Sequence, residues 1–136
     1  MARRVVLLCC CALVLAGCGT KHTVGNVYHR GPVIDCLRKH NFTVSTSEKD
    51  VNFIAYSATG GGLRAWQGPR HKADLILAFG QSLQDAKQTM KAVRRFAKKP
   101  PLFRYRLVRA NVVIMWAYRP SDANKALLLD CLNSSV

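Results

Sequence analysis

The amino-acid sequence predicts an α+β domain built on a small antiparallel sheet. Two stretches, residues 73–79 and 112–118, are apolar almost throughout, as in strands that are buried on both faces. Residues 83–98 instead repeat apolar side chains at the spacing of one helix face. From residue 42 onwards the predicted order is strand, helix, strand, strand, helix, strand, strand. This order favours helices that pack on a sheet of antiparallel strands.

A helix and a short strand are predicted to open the domain. Pro32 suits the first turn of a helix, and apolar residues follow it at helical spacing as far as His40. Asn41 can end this helix. Residues 42–46 are then a short β candidate.

A second helix is predicted over residues 48–58. Ser47 and Asp50 have the spacing of a capping box, and apolar residues recur three and four positions apart after them. Residues 51–57 have a β-like composition, so a strand is the alternative. The three glycines at 60–62 indicate a turn or a helix end. They do not indicate a phosphate-binding loop, because the Lys and Ser or Thr of that motif do not follow.

Two further strands are predicted from alternation. Residues 63–66 alternate in the period of a strand, and residues 102–108 do so again. In the second stretch the predicted faces are Phe103, Tyr105 and Leu107 on one side, and Arg104 and Arg106 on the other.

Two helices complete the predicted elements. Ser82 caps the helix at 83–98, and two prolines stop it. The last helix covers residues 122–132. The helix at 83–98 also carries a basic stripe whose members are four, three and four positions apart, namely Lys87, Lys91, Arg94 and Lys98.

The first six elements from residue 42 resemble a split β-α-β arrangement, as in ferredoxin-like folds. Two helices would then cover one face of the sheet. The helices at 32–40 and 122–132 are available to cover the other face.

The chain begins with a segment that has the form of a secretory signal. Arg3 and Arg4 precede a run, residues 5–15, that is apolar without a break. Small residues follow, and a charged start, an apolar middle and a small-residue end are the three parts of such a signal. The run is too short to span a membrane, which takes roughly 20 residues.

The end of this segment resembles the lipobox of bacterial lipoprotein precursors. The matching residues are Leu15, Ala16, Gly17 and Cys18. The resemblance implies a diacylglyceryl group on the Cys18 thiol, removal of residues 1–17 and acylation of the new amino terminus. It therefore implies a protein anchored in the cell membrane, on its extracytoplasmic side. Residues 18–31 would be the lipidated cysteine and a flexible tether, and residues 32–136 the single domain.

Six cysteines divide by position. Three lie in the signal segment, and Cys18 takes the lipid. Cys36 and Cys131 remain as an even pair in an oxidising compartment, which predicts a disulfide between them. A metal site would need more ligands than two cysteines so far apart in the sequence offer.

The paired cysteines also lie in a short sequence echo. Asp-Cys-Leu occurs at residues 35–37 and again at residues 130–132, each time on a predicted terminal helix. With the anchor, these helices make the mature part resemble small uncharacterised cysteine-paired lipoproteins of high-GC Gram-positive bacteria. This resemblance implies no activity.

The strongly basic composition indicates anionic partners. The formal net charge is +14 at pH 7, which concerns partners and solubility rather than fold. Anionic lipid headgroups and acidic wall polymers are candidate partners, and a protein partner is another. A lipid anchor outside the membrane argues against nucleic acid. The candidate anion-binding residues are the four of the basic stripe together with Arg104 and Arg106, although an ordinary solvated face would have the same pattern.

No catalytic or metal-binding pattern is recognisable. The four histidines lack ligand spacing, and the seven acidic residues are scattered. We therefore predict no metal, no cofactor and no catalytic residue. The sequence indicates a lipid-anchored envelope protein that is a non-catalytic binding or structural module. The alternative is an envelope enzyme whose site only the fold assembles, and a deep pocket with convergent polar groups would favour it.

Overall fold

A five-stranded antiparallel sheet with helices on both faces organises the chain, which the computed structural model describes over residues 25–96 and 103–136. The strands are β1 (Thr43–Ser45), β2 (Gly62–Gln67), β3 (Lys72–Phe79), β4 (Tyr105–Arg109) and β5 (Val112–Trp116), in the spatial order β1-β2-β3-β5-β4. The helices are α1 (Arg30–Lys39), α2 (Phe53–Tyr56), α3 (Leu83–Phe96) and α4 (Asp122–Asn133). The predicted α+β class with an antiparallel sheet is therefore confirmed.

Some predictions fall outside the described residues. These are the signal segment at 1–17, the lipidation site Cys18, the first part of the tether at 19–24 and the stripe residue Lys98. The predicted helix end at 97–98 and the predicted strand start at residue 102 also lie outside.

Each face of the sheet carries its own apolar core. Alternate side chains of β3 and β5, such as Leu77 and Ile114, pack with α1 and α4 on one face. The intervening side chains, such as Ile76 and Met115, pack with α2 and α3 on the other. Both strands are consequently buried on two sides, which explains why their sequences are apolar throughout.

A disulfide joins the two terminal helices. Cys36 of α1 is bonded to Cys131 of α4, with 5.4 Å between the Cα atoms, across 95 residues of sequence. The predicted pairing is confirmed. The bond links the helices that cover one face of the sheet, so it holds that layer together.

The packed part of the chain begins upstream of Pro32. Helix α1 starts at Arg30, and the Tyr28 side chain is only 4% exposed. The backbone N–H of Tyr28 donates to Oδ1 of Asn111 at 2.7 Å. The last residues of the predicted tether therefore belong to the domain.

The second helix is much shorter than predicted. Only Phe53–Tyr56 is helical, and the helix begins after Asn52, whose side chain accepts from the Ala55 N–H at 2.8 Å. Ser47 does not cap a helix, because its hydroxyl donates to Asp50 within a separate turn. Asn52 competes as a cap, and the β-branched Val51 is a poor helix former. The prediction of a helix over residues 48–58 is therefore wrong at both ends.

The short α2 also changes the sheet topology. Strands β1 and β2 are adjacent and antiparallel, whereas the two strands of a split β-α-β unit run parallel with another strand between them. A helix of four residues advances only about 6 Å, too little to carry the chain back along the sheet. The ferredoxin-like detail of the predicted core is consequently not confirmed.

In strand β4, Tyr105 and Leu107 lie on one face and Arg106 on the other, as predicted, but Phe103 does not share the face of Tyr105 and Leu107. Tyr105 and Leu107 are paired with Trp116 and Ile114, so they lie on the α1 and α4 face, where Leu107 is 49% exposed. Phe103 precedes the strand and is buried on the α3 face. Helix α1 lies over β1 and β2, at the other edge of the sheet, and this leaves the outer face of β4 to solvent.

The glycine run is a turn, as predicted. Gly61 has φ +75°, a conformation that suits glycine. A Cβ atom on Gly62 would come within 2.6 Å of the Ala55 carbonyl oxygen. The run brings the end of α2 close against the start of β2.

Candidate functional site

Helix α3 and the short helix α2 form a surface of the described chain that combines exposed cations with an apolar groove. The inward side chains Ala86, Met90 and Val93 of α3 are buried against the sheet. Helix α2 lies over β2 and β3, whereas α3 lies over β4 and β5. One side of α3 therefore faces α2 across a groove, and its other side points towards the β4 edge of the sheet.

The side of α3 nearer β4 carries three residues of the predicted stripe, Lys87, Lys91 and Arg94, which we call the basic flank. All three are exposed, and their spacing places them on one side of the helix. All seven acidic residues of the chain lie in the described part, and none forms an ion pair with the basic flank. These charges therefore face solvent without a carboxylate partner.

Two arginines predicted as additional anion-binding residues lie near α3. Arg104 is exposed and precedes β4. Arg106 is paired with Met115, so it lies on the α2 and α3 face, half-buried. Its Nε donates to the carbonyl oxygen of Phe103 at 2.6 Å, and its terminal nitrogens make no hydrogen bond to the other described residues.

The other side of α3 borders an apolar groove of about 750 Å³. Its walls carry Phe53 of α2, which is 73% exposed, and Phe96 of α3, which is 67% exposed. Val93, Phe103 and Met115 also line it, and these three side chains belong to the core. A volume of this size is in the usual range for small-molecule sites.

The polar groups among the described residues of the groove are all neutral. They are Asn52, Ser57, Gln88 and Thr89. Among the described residues that line the groove, none is titratable. General acid–base catalysis needs a titratable group placed within hydrogen-bond reach of the substrate, and the described lining supplies apolar contacts and neutral hydrogen-bonding groups.

A cation lies at the Phe96 end of the groove. The guanidinium carbon of Arg95 is 5.4 Å from the centre of the Phe96 ring, within the range of a cation–π contact. Arg95 is exposed and lies between the basic flank and the groove around the helix. An anionic group at this rim would therefore meet a positive charge.

A second polar cluster lies at the far end of the same sheet face. Arg64 donates from Nε and Nη2 to both carboxylate oxygens of the buried Asp74, at 2.9 and 2.6 Å. These hydrogen bonds raise the pKa of Arg64, while its partial burial acts in the opposite direction. The charge of Arg64 is therefore neutralised by Asp74 and does not add to the positive surface near α3.

The hairpin beside this ion pair holds two ring side chains and a carboxylate. Trp66 stacks on His71 with 5.0 Å between ring centres, and Nδ1 of His71 is 4.0 Å from the Asp74 carboxylate. The hydroxyls of Ser45 and Ser47 donate to Asp50 and lower its pKa. The geometry is that of a closed structural network, because each acidic group already has partners within it.

The disulfide has a histidine beside it. His40 follows Cys36 by one helical turn, and ligand atoms of His40, Cys36 and Cys131 lie within 4.8 Å of one another. The two sulfurs are bonded to each other, so neither is the thiolate that binds zinc. His40 was not predicted to approach either cysteine, although the i, i+4 spacing from Cys36 is a signal for it.

The groove was not predicted from the sequence. Phe53 and Phe96 lie in predicted helices, and nothing in the local pattern distinguishes an exposed phenylalanine from a buried one. One observation could have indicated that Phe96 is exposed: it does not belong to the apolar face predicted for its helix. The groove is formed by α2 and α3 together, and their packing is not visible in either helix's own sequence pattern.

Within residues 25–96 and 103–136, none of the helices combines the length and the apolar composition that crossing a membrane requires. No protein-family model matches the chain, and no curated protein or solved structure is significantly similar to it.

Proposed function

We propose that the protein is a lipid-anchored cell-envelope protein on the extracytoplasmic side of the membrane, and that its domain is a non-catalytic binding module for anionic partners. The support for the anchor is the lipobox-like sequence that ends at Cys18. The observation that carries the binding role is the basic flank, where three exposed cations have no acidic partner on the domain.

The length of chain before the domain supports binding close to the membrane. The first buried residue of the described chain is Tyr28, and it follows Cys18 by ten positions. A chain of that length spans at most about 35 Å. A diacylglyceryl group on Cys18 would thus hold the domain near lipid headgroups, where each basic residue contributes about 1 kcal/mol. Acidic wall polymer offers the same negative charge.

The apolar groove supports a binding module over an enzyme. The enzyme alternative calls for a pocket in which polar groups converge, and the groove between α2 and α3 is lined by apolar and neutral side chains. The extracytoplasmic position proposed here also argues against nucleic acid as the partner.

The basic flank can be tested with vesicles. Residues 19–136, with the fold verified by circular dichroism and by an intact disulfide, are mixed with phosphatidylglycerol vesicles or acidic wall polymer at increasing salt. Replacement of the basic flank and of Lys98, the fourth residue of the predicted stripe, by Gln should weaken binding at low salt by at least about tenfold, because four positive charges are lost. It should also flatten the salt dependence.

A matched variant separates the basic flank from net charge alone. Arg38, Lys39, Arg70 and Lys72 are also exposed, and they lie on α1 and at the β2–β3 hairpin. Their replacement by Gln removes the same charge and should leave most of the binding intact. Equal loss in the two variants, or no loss in the first, would contradict a specific role for the basic flank.

Lipidation is expected at Cys18 and at no other cysteine. The variant Cys18→Ser should accumulate as an uncut precursor that takes up no radioactive fatty acid, because the thiol is the group that receives the lipid. Cys36→Ser should still be labelled, since Cys36 lies in the disulfide. Labelling of the Cys18→Ser variant at the level of the parent would refute the anchor.

A further inference from the structure

We propose that the groove between α2 and α3 binds one acyl chain of an anionic membrane lipid, with the headgroup at Arg95. The inference rests on the proposed membrane anchor, which brings lipid within reach. It concerns the groove side of α3, and it shares with the basic flank only Lys91, which lies one turn before Arg95.

The lining of the groove has the chemistry of a chain-binding site. Phe53 and Phe96 are two of the largest exposed apolar side chains of the described domain, and they line the same groove. Burial of such apolar surface against a hydrocarbon chain is favourable, because it removes that surface from water. The polar side chains at the rim are neutral, so they do not require a charged group inside the groove. An uncharged acyl chain is compatible with this lining.

The charges around the groove select the headgroup. Arg95 lies against the ring of Phe96, and Lys91 lies one turn before it on the exposed side of α3. No acidic residue is among the described residues that line the groove. A phosphate attached to a chain in the groove would therefore meet cations and no carboxylate.

A second copy of the protein fits the groove less well than a lipid does. The full sequence carries a formal charge of +14, and removal of residues 1–17 takes away only Arg3 and Arg4. Each copy is therefore strongly basic, and its own basic α3 would be brought against the basic α3 of its partner. Like charges at close range oppose association. An anionic lipid instead neutralises the positive charge that borders the groove.

The experiment uses the full chain, extracted from the membranes of expressing cells and reconstituted in phosphatidylcholine vesicles. The probe is phosphatidylglycerol with a photoactivatable diazirine on one acyl chain, and a phosphatidylcholine with the same chain is the reference probe. After illumination, adducts are mapped by peptide mass spectrometry. We expect the anionic probe to label peptides that contain residues of α2 and α3, more than the reference probe does.

Two variants with the same substitution locate the site. Ala92 is half-buried and lines the groove, so Ala92→Trp should fill the groove and reduce labelling there by about tenfold. Ala123 is exposed on α4, on the opposite face of the sheet, and Ala123→Trp should leave labelling unchanged. Arg95→Gln should reduce the preference for the anionic probe by about fivefold.

Clear outcomes would overturn the inference. These are adducts on the parent protein that avoid α2 and α3, labelling of the Ala92→Trp variant at the parental level, or equal labelling by the two probes. Loss of vesicle binding by residues 19–136 on removal of the basic flank is a separate measurement. If vesicle binding persists without the basic flank, the role of the flank is refuted. The adduct map then still tests whether the groove binds an acyl chain.

Discussion

Replacement of both Cys36 and Cys131 by Ala is expected to lower the free energy of unfolding of the domain by about 4 kcal/mol. The bond closes a loop of 95 residues, and opening it restores conformational freedom to the unfolded chain. Domains of this size have only about 5–15 kcal/mol of stability in total. Urea unfolding followed by tryptophan fluorescence should therefore show a large decrease in the midpoint.

Reduction of the parent protein is the matched control for this prediction. A dithiol reductant opens the same bond without removal of either sulfur atom, so the fully buried Cys131 leaves no cavity. The reduced parent and the double variant should unfold at similar urea concentrations. An unchanged midpoint in both would show that the bond contributes little to stability.

Asn111→Ala is expected to destabilise the domain by about 2–4 kcal/mol, because it leaves three buried backbone groups without partners. Asn111 is 2% exposed. Its Oδ1 accepts from the N–H of Tyr28, and its Nδ2 donates to the carbonyls of Tyr28 and Gly80 at 3.0 and 2.8 Å. This side chain therefore ties the start of the domain to the ends of β3 and β5.

The control for Asn111→Ala is the same substitution at an asparagine whose side chain makes no hydrogen bond to the other described residues. Asn124 lies on α4, half-buried, and Asn124→Ala should change the free energy of unfolding by less than about 0.5 kcal/mol. Both variants are compared by urea unfolding under identical conditions. Equal stability of Asn111→Ala and the parent would mean that water satisfies the three groups as well as Asn111 does.

The elements with long and regular patterns could be predicted. Helix α3 was recognisable because its apolar side chains keep a helical period over four turns, and β3 and β5 because their runs are apolar on both faces. The disulfide followed from counting the cysteines left after the signal segment. The helix and strand signals are strong because many residues in each segment indicate the same structure. The disulfide signal is strong because two remaining cysteines allow only one pairing.

The predictions that were wrong concern features that depend on contacts between residues far apart in the sequence. Whether Ser47 or Asn52 caps α2 is decided by which turn packs better, and both have capping side chains. The faces of β4 depend on which helices reach the edge of the sheet, so the alternation of Tyr105 and Arg106 could not show which of them points inward. The groove lies between α2 and α3, so it depends on how two elements far apart in the sequence pack on the same sheet face.

The Cys36–Cys131 bond also decides how the protein carries mechanical load. A pull on the amino-terminal side of the domain reaches Cys36 through the start of α1, and a pull on the carboxyl end reaches Cys131 through the last turn of α4. Between these points the force passes through the covalent sulfur bond. The whole five-stranded sheet lies inside the closed loop, so tension between the two ends cannot peel its strands apart while the bond is intact.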